Sequence, residues 1–559
     1  MKKTLITIFL AAAAVVAQAQ TAYDALLFSE NEYEGTARTM AMGNAFTALG
    51  GDLGSISINP AGSAVAKYSQ FTLTPALTIS TTTSQGVSPF QNGDLPYFER
   101  QMKSNMTRFG LPNFGLTINW DTNRTSGLKN MSFGFVINRT ATYDEDIYAS
   151  GINSTTSFMG SMAYDATMSG YTGTELNAEN AYNYMPWKPV VGYQSGMIST
   201  FGGYDDQFVG ASQIIYDNGD VDLGGPLQQS YGRQVTGGKY EYIFNIGANI
   251  SDFVYLGANL GMTAINYDYN EYFREVAVDP ADFEIVFDSG DAIYFNDMVY
   301  KYSYAATGNG YFGKFGAIVT PGYGLRIGAA IQTPVLNNIT EYWQQAGETT
   351  YTNSQYNAGA TSPEGRGSYV MVSPFRANFG LAYAFGKAGV FSVDYEFSDY
   401  GQMKYKGSGY DDRDYFEAVN ADIRDRFGVS HMLRAGLEFK PVSELAVRAG
   451  YGLTTGAEKY NSWGEQLPAN LRQNVSLGLG YNSKKSFYTD LAVRRTIIPD
   501  EYFMPYADYM YDVDGNIVGD AYAPELINKK GLWKVLLTFG WRFERHPRHD
   551  RGACYNLFR

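Results

Sequence analysis

The chain has 559 residues, 15% of them aromatic, with 61 glycines, 46 tyrosines, a mean hydropathy of −0.26 and a formal net charge of −14. That negative balance argues against a nucleic-acid partner and supplies no polybasic surface for anionic lipid. Beyond residue 19 no run approaches ~18 consecutive apolar residues, so helical membrane spans are excluded, and a single cysteine, Cys554, excludes an internal disulfide.

Residues 1–19 read as a signal peptide. Met1-Lys2-Lys3 is positive, 5–16 is an apolar run, and Ala17-Gln18-Ala19 is a small-x-small cleavage site. From residue 68 the pattern changes to period two. Fourteen segments carry it: 68–82, 109–120, 130–146, 238–250, 253–270, 299–320, 323–345, 367–386, 389–406, 430–440, 444–455, 471–482, 486–496 and 531–543. In the last of these, Trp533, Val535, Leu537, Phe539, Trp541 and Phe543 lie on one side, with Lys534, Leu536, Thr538, Gly540 and Arg542 on the other. With little helical sequence to cover so many apolar faces, the pattern predicts a transmembrane antiparallel β-barrel of about 14 strands over 68–543. Its apolar side touches lipid, and the tyrosines suit the interfacial girdles.

Links between these segments alternate without exception. Short ones, such as Ser251-Asp252, Pro321-Gly322 and Pro441-Val442, follow long ones such as 147–237, 271–298 and 497–530. Barrels of this kind have short periplasmic turns and long extracellular loops. The first strand therefore runs outward, and segment 20–67 is expected to begin on the periplasmic side. Residues 544–559, basic and Pro-containing, are expected to form a periplasmic tail.

Segment 20–67 is too patterned for a simple tail. It carries Gly43-Asn44-Ala45, Asp52 and Asn59-Pro60-Ala61-Gly62. A second block runs from Gly308-Asn309-Gly310-Tyr311-Phe312-Gly313-Lys314-Phe315-Gly316 through Arg326-Ile327-Gly328 to Thr333-Pro334. Together these resemble the FadL-type outer-membrane transporters of long-chain fatty acids and other hydrophobic compounds, over about residues 35–543. The resemblance implies an N-terminal hatch plugging the lumen (20–67), with Gly43, Asp52, Asn59, Pro60, Ala61 and Gly62 as its gate residues. It also implies capture of a hydrophobic ligand from outside and lateral release into the outer membrane. A turn that only seats the hatch explains Asn59 to Ala61 equally well.

Ligand contacts are less legible. Phe158, Met159, Met162, Trp187 and Met197 lie in the long 147–237 loop, and methionines with aromatics suit a pocket for varied apolar molecules. Packing of the loop against the rim is the competing account. By parity Arg326, Arg376, Arg434, Arg448, Arg494 and Arg542 face inward; Arg326 and Arg376 are candidates for a carboxylate head group. Inward Asp394, Glu396, Glu438 and Asp490 offer a plainer role for these arginines, as ion-paired staples. Segment 411–428 reads as an amphipathic helix in an outer loop.

No His-Glu-x-x-His, Gly-x-Ser-x-Gly or phosphate-loop pattern occurs, and only three histidines exist, so no enzyme activity, cofactor or metal is expected. Asp512 to Asn516 begins like a calcium loop but lacks its closing Glu. The sequence thus predicts a monomeric bacterial outer-membrane protein for passive uptake of fatty-acid-like molecules. Alternatives are a haem receptor using His431, or a scaffold barrel serving protein export.

Overall fold

The computed structural model of the protein describes residues 21–87, 98, 100–201, 203–216, 220–286, 290, 292–407, 413–460, 470–483, 486–506, 509–511, 517–520 and 524–543. The expected signal peptide, the tail 544–559 and the 512–516 turn lie outside these residues.

Fourteen antiparallel strands form one closed barrel. The first seven are β1 Ser69–Val87, β2 Met102–Asp121, β3 Leu128–Thr142 continued by Glu145–Asn153, β4 Leu227–Ile250, β5 Val254–Ala277, β6 Ala292–Gly322, and β7 Leu325–Gln332 continued by Leu336–Tyr351. The others are β8 Gly365–Val372 continued by Arg376–Ala384, β9 Gly389–Asp399 continued by Lys404–Lys406, β10 Val429–Val442 and β11 Leu445–Thr455. The circuit ends with β12 Leu471–Asn482, β13 Phe487–Ile497 continued by Glu501–Phe503, and β14 Glu525–Phe543. Strand β14 pairs with β13 on one side and with β1 on the other, from Ser69↔Phe543 to Val87↔Glu525. Closure of this kind removes the first and last edges that hydrocarbon would not tolerate.

Every expected segment is one of these strands, and the parity holds. On β14, Trp533, Leu537, Trp541 and Phe543 are exposed on the outside, whereas Lys534, Leu536 and Thr538 are fully buried on the inside. The outward belt continues through Phe244, Leu260, Phe315, Phe379, Leu437 and Leu477, all exposed. An uninterrupted apolar belt around a closed barrel is the surface a lipid bilayer requires, and it places the protein in an outer membrane.

Several strands run further than the sequence suggests; among them β4 begins at Leu227, β5 continues to Ala277 and β6 begins at Ala292. Outward positions there are polar (Gln234, Asn270, Ser303), so the hydrophobic alternation stops where lipid stops, although the backbone ladder does not.

The leading segment packs against inward-facing positions of the strands, such as Asp394 and Thr538. It folds as helix α1 Ala22–Ser29, helix α2 Ala37–Ala41 and two 3₁₀ turns, Leu53–Ser57 and Pro60–Val65. Each begins on a side chain that caps its free N–H groups: Thr21, Thr36, Asp52 and Asn59. Contrary to the sequence expectation, its end and not its start lies at the periplasmic rim. The Ala66 carbonyl accepts from Asn119 there at 2.6 Å, and Lys67 pairs with Asp252 at 3.2 Å in the β4–β5 turn. Its start lies near the outer loops: Tyr405 donates to the Thr21 carbonyl at 2.9 Å, and the Tyr23 and Phe427 rings meet at 5.5 Å.

The long loop between β3 and β4 contains helices α3 Phe158–Met168 and α4 Trp187–Gln194. Its apolar side packs on Phe273, Phe295 and Met298 at the outer ends of β5 and β6. A helix at Arg413–Arg426, α5, occupies another outer loop as expected, burying Phe416 and Ile423.

Candidate functional site

The Asn59-Pro60-Ala61-Gly62 turn rests on β6 and β7. Asn59 caps the turn by accepting from the Ala61 N–H at 3.0 Å. It also donates to the carbonyls of Thr47 (2.6 Å), Ala317 (3.2 Å) and Ala329 (3.4 Å). Pro60 follows at the start of the turn, where its missing N–H costs nothing. Strand glycines make the room. A Cβ on Gly316 would overlap Asn59 Oδ1, one on Gly257 the Pro60 carbonyl group, and one on Gly328 the Thr47 carbonyl. Lys314 donates to the Ser57 carbonyl at 2.6 Å. The two sequence blocks, hundreds of residues apart, are therefore two faces of one joint.

The other expected hatch residues belong to the same packing. Gly43 has φ 62°, and a Cβ there would lie 2.9 Å from the Tyr451 carbonyl oxygen. Asp52 accepts from Thr36 at 2.7 Å and from the Gly54 N–H at 2.9 Å. Nearby Arg38 bonds Glu438 at 2.8 Å.

Between α1 and α2 the chain reads Glu30-Asn31-Glu32-Tyr33-Glu34, and its alternate glutamates meet the cations of one wall. Glu30 lies 3.7 Å from Arg472, Glu32 2.8 Å from Arg494, and Glu34 2.7 Å from both Arg139 and Lys534. Burial by itself would raise the Glu32 carboxyl, but Lys534, Arg494 and Arg472 outweigh it and hold it at about 2. Glu34 is likewise lowered: burial pushes it up, and Arg139 with Lys534 pulls it further down. Tyr33 turns the other way, with Lys314 and Arg434 each 5.5 Å from its ring. This clamp was missed in the sequence, although a Glu-x-Glu-x-Glu run set against inward cations is a readable signal.

The ladder between β2 and β3 stops part-way along. Strands β2 and β3 pair from Asp121↔Asn130 to Asn113↔Asn138 and no further among the described residues. Outward of that point 102–112 of β2 pairs only with β1, and β3 pairs only with β4. Two prolines account for the bend. Pro75 and Pro112 lie at the same level, where the β1–β2 register skips between Thr74↔Asn113 and Ala76↔Gly110, and neither has an N–H to give. Thr140 adds a bulge to β3 between Arg139 and Ala141, and β3 is interrupted again at Tyr143-Asp144. A second proline pair, Pro334 and Pro374, bends β7 and β8, but pairing resumes above it at Leu336↔Val372. Between β2 and β3, by contrast, pairing does not resume among the described residues.

At that seam Phe109 is 78% exposed, and even inward-parity Arg108 has a half-exposed side chain, 3.9 Å from Asp144. From inside, the leader covers the freed edge of β3. The Glu32 N–H donates to the Thr140 carbonyl at 2.6 Å and the Glu34 N–H to the Arg139 carbonyl at 3.2 Å. Beside the leader, between residues 27–32 and the seam, lies a cavity of about 240 Å³ whose lining includes Tyr143, Asp144 and Glu145. A larger concavity, about 640 Å³, is set around outward Gln234, Asn270 and Ser303. Its position outside the lumen removes it from any route through the barrel.

The residues expected to bind ligand are not gathered together. Phe158, Met159, Met162 and Met197 are buried in the core of the outer cap, with Phe158 stacked on Phe273 at 5.1 Å. Trp187 donates to the Tyr182 carbonyl at 2.8 Å and lies 5.9 Å from Trp343. Arg326 is at the far end, beside the β6–β7 turn. Arg376 bonds Glu396 at 3.3 Å and the Ser29 carbonyl. His431 faces outward and shares a 2.8 Å hydrogen bond with Tyr395, so it offers no axial ligand to a haem inside the barrel.

No family model and no curated protein matches the chain. Among solved structures it is similar to a FadL homologue of Pseudomonas aeruginosa, at 11% identity and TM-score 0.49, covering 92% of this chain and 99% of that one. It is also similar to the Pseudomonas putida toluene transporter TodX (13% identity, TM-score 0.47, covering 92% and 100%). A third is the Ralstonia pickettii toluene transporter TbuX (11%, 0.44, covering 93% and 100%).

Proposed function

We propose that the protein passes small hydrophobic molecules across the bacterial outer membrane. The 21–66 segment acts as a plug, and the molecule leaves sideways through the β2–β3 seam. The single observation that carries this reading is the one-sided break: β2 and β3 lose one another above Asn113↔Asn138, and the β3 side of that break, Ala141 to Glu145, lines a cavity beside the plug. The route is physically economical. An apolar molecule gains about 25 cal/mol for each Å² removed from water, so a path from cavity to hydrocarbon avoids rehydrating it in a pore. At about 240 Å³ the cavity is at the small end for ligand sites, fitting a monoaromatic compound or part of a longer chain.

In this scheme the cap holding Phe158, Met159, Met162, Trp187 and Met197 admits ligand by separating from the rim. Asn59 to Gly62 anchor the plug while the 30–34 stretch, which covers the β3 edge, shifts to clear the seam.

Deleting Thr140 tests it. Removal of the bulge residue straightens β3 and favours pairing with β2, and uptake of a labelled fatty acid and a labelled monoaromatic hydrocarbon should both fall severalfold. Heat-modifiable migration confirms that the barrel has formed. Unchanged uptake by a correctly folded deletion variant would reject the lateral route.

A further inference from the structure

The concavity of about 640 Å³ outside the barrel wall has no part in the transport scheme, yet its surface is ordered side chain by side chain. It spans the continued part of β3 and strands β4 to β7, at a level where they stand clear of lipid. On β5 the outward apolar row ends at Ala264, and Asn270 lies six residues further on. At ~3.3 Å per residue and a tilt of ~40°, that is about 15 Å above the hydrocarbon.

Two rows of outward side chains cross this face in register. The lower row is Gln234, Asn270, Ser303 and Gln344, on four neighbouring strands; at ~4.8 Å per strand it is about 14 Å long. Gln234 and Asn270 have no hydrogen-bond partner among the described residues, and Gln344 gives one N–H to the Ser362 carbonyl at 3.1 Å. Each amide therefore offers donors and an acceptor to a ligand. The upper row is Tyr148, Gly232, Tyr272, Lys301 and Ala346. Here the Tyr272 ring lies over Gly232, since a Cβ on that glycine would fall on the ring.

A tyrosine ring beside a row of free amides suits a sugar, whose C–H face stacks on the ring while its hydroxyls exchange hydrogen bonds with the amides. The surrounding charges come close to cancelling: Lys301 and Arg366 against Asp146, Asp268 and Glu348, with Arg274 and Asp297 paired at 2.5 Å. A polyanion finds no positive field here, and an apolar partner would strand the amides. We infer that this face holds the sugar chain of an outer-leaflet glycolipid. The concavity opens sideways, at the height where the sugars of a neighbouring lipid stand. A lipid anchored in the same leaflet presents its sugar at high effective concentration, so weak contacts suffice.

Isothermal titration of the full chain in phosphatidylcholine nanodiscs tests this, with the lipid-free oligosaccharide released from outer-membrane glycolipid as ligand and maltoheptaose as the comparison. The oligosaccharide should bind about tenfold more tightly than maltoheptaose. Tyr272→Ala and Asn270→Ala should each weaken it about tenfold, the scale of one stacked ring or one pair of hydrogen bonds. Heat-modifiable migration and hydrocarbon uptake should stay as in the natural chain, because the face lies off the transport route. Equal binding of maltoheptaose would overturn the glycolipid assignment. Binding of neither sugar, or full binding by both variants, would overturn the sugar site itself. A natural chain that sediments in detergent as a dimer, and as a monomer in Tyr272→Ala, would give the face to a second copy instead.

Discussion

Replacing Gly316 with Ala should unseat the plug without harming the barrel. The new Cβ would occupy the place of Asn59 Oδ1 and approach Pro60 Cδ to 2.9 Å. Asn59 would have to swing away, giving up its bonds to the Thr47 carbonyl, the Ala317 carbonyl and the Ala61 N–H, all in a buried site. At ~1 kcal/mol for each bond the loss is about 3 kcal/mol, a shift of about a hundredfold toward the undocked plug. The strand ladder through Gly316↔Gly257 and Gly316↔Ala330 is untouched. Planar-bilayer conductance is the assay, with a variant lacking 35–62 as the fully open reference. Gly313→Ala on the same strand is the control, because its added Cβ finds nothing nearer than Thr333 Cγ2 at 3.8 Å. Gly316→Ala should show frequent openings toward the reference level, and Gly313→Ala should stay closed. If both stay closed, or the 35–62 deletion itself conducts no better than the natural chain, the plug is not what blocks the lumen.

Four further outcomes follow from other contacts of the strands and the leader. Leu537→Arg should cost about 2–4 kcal/mol in liposome unfolding titrations, falling in thinner bilayers, because Leu537 faces lipid. Sequence parity alone suggests that Thr538→Arg is mild, in a wet lumen; instead Thr538 is fully buried, accepts from the Ala37 N–H at 2.8 Å and touches Thr74 at 2.8 Å. Its penalty should rival that at 537 but be insensitive to bilayer thickness, and thickness dependence at 538 would contradict the register. Glu34→Gln leaves Arg139 and Lys534 buried without their shared carboxylate, a loss of about 3–5 kcal/mol that should appear as leak conductance. A tight closed state in that variant would remove the clamp from the account. Because Glu32 is held at about 2, below the unfolded value of about 4.3, its contribution is complete above the unfolded value and disappears as pH falls through the folded one. Conductance should therefore be flat from pH 7 to about 4 and rise below about 3; a rise already near pH 5 would contradict the ion pairing.

The barrel was legible because lipid enforces period two: Leu537 out and Thr538 in follow from alternation alone. Above the lipid that force vanishes, which is why the start of β4 at Leu227 and the end of β5 at Ala277 were missed. The Asn59-Pro60-Ala61-Gly62 turn was recognised, but its partner surface needed the fold, since nothing local says that Gly316 and Gly328 lie under Asn59. Pro112 was a usable sign that went unread. A proline inside a strand marks an edge, and here it marks the end of pairing with β3. The apolar loop residues stood out by composition, yet composition does not distinguish a packed core such as Phe158 with Met159 from an open pocket.

The central claim is the path itself, and a photoreactive probe reads it most directly. A diazirine-bearing fatty alcohol, added to whole cells and irradiated during uptake, leaves adducts that mass spectrometry assigns to residues. The account predicts labelling of Phe109, Leu111, Ala141 and Tyr143 on the two lips of the seam, and little near the periplasmic turns around Asp252 and Tyr323. Adducts running past the plug to those turns, with the seam unmarked, would contradict it.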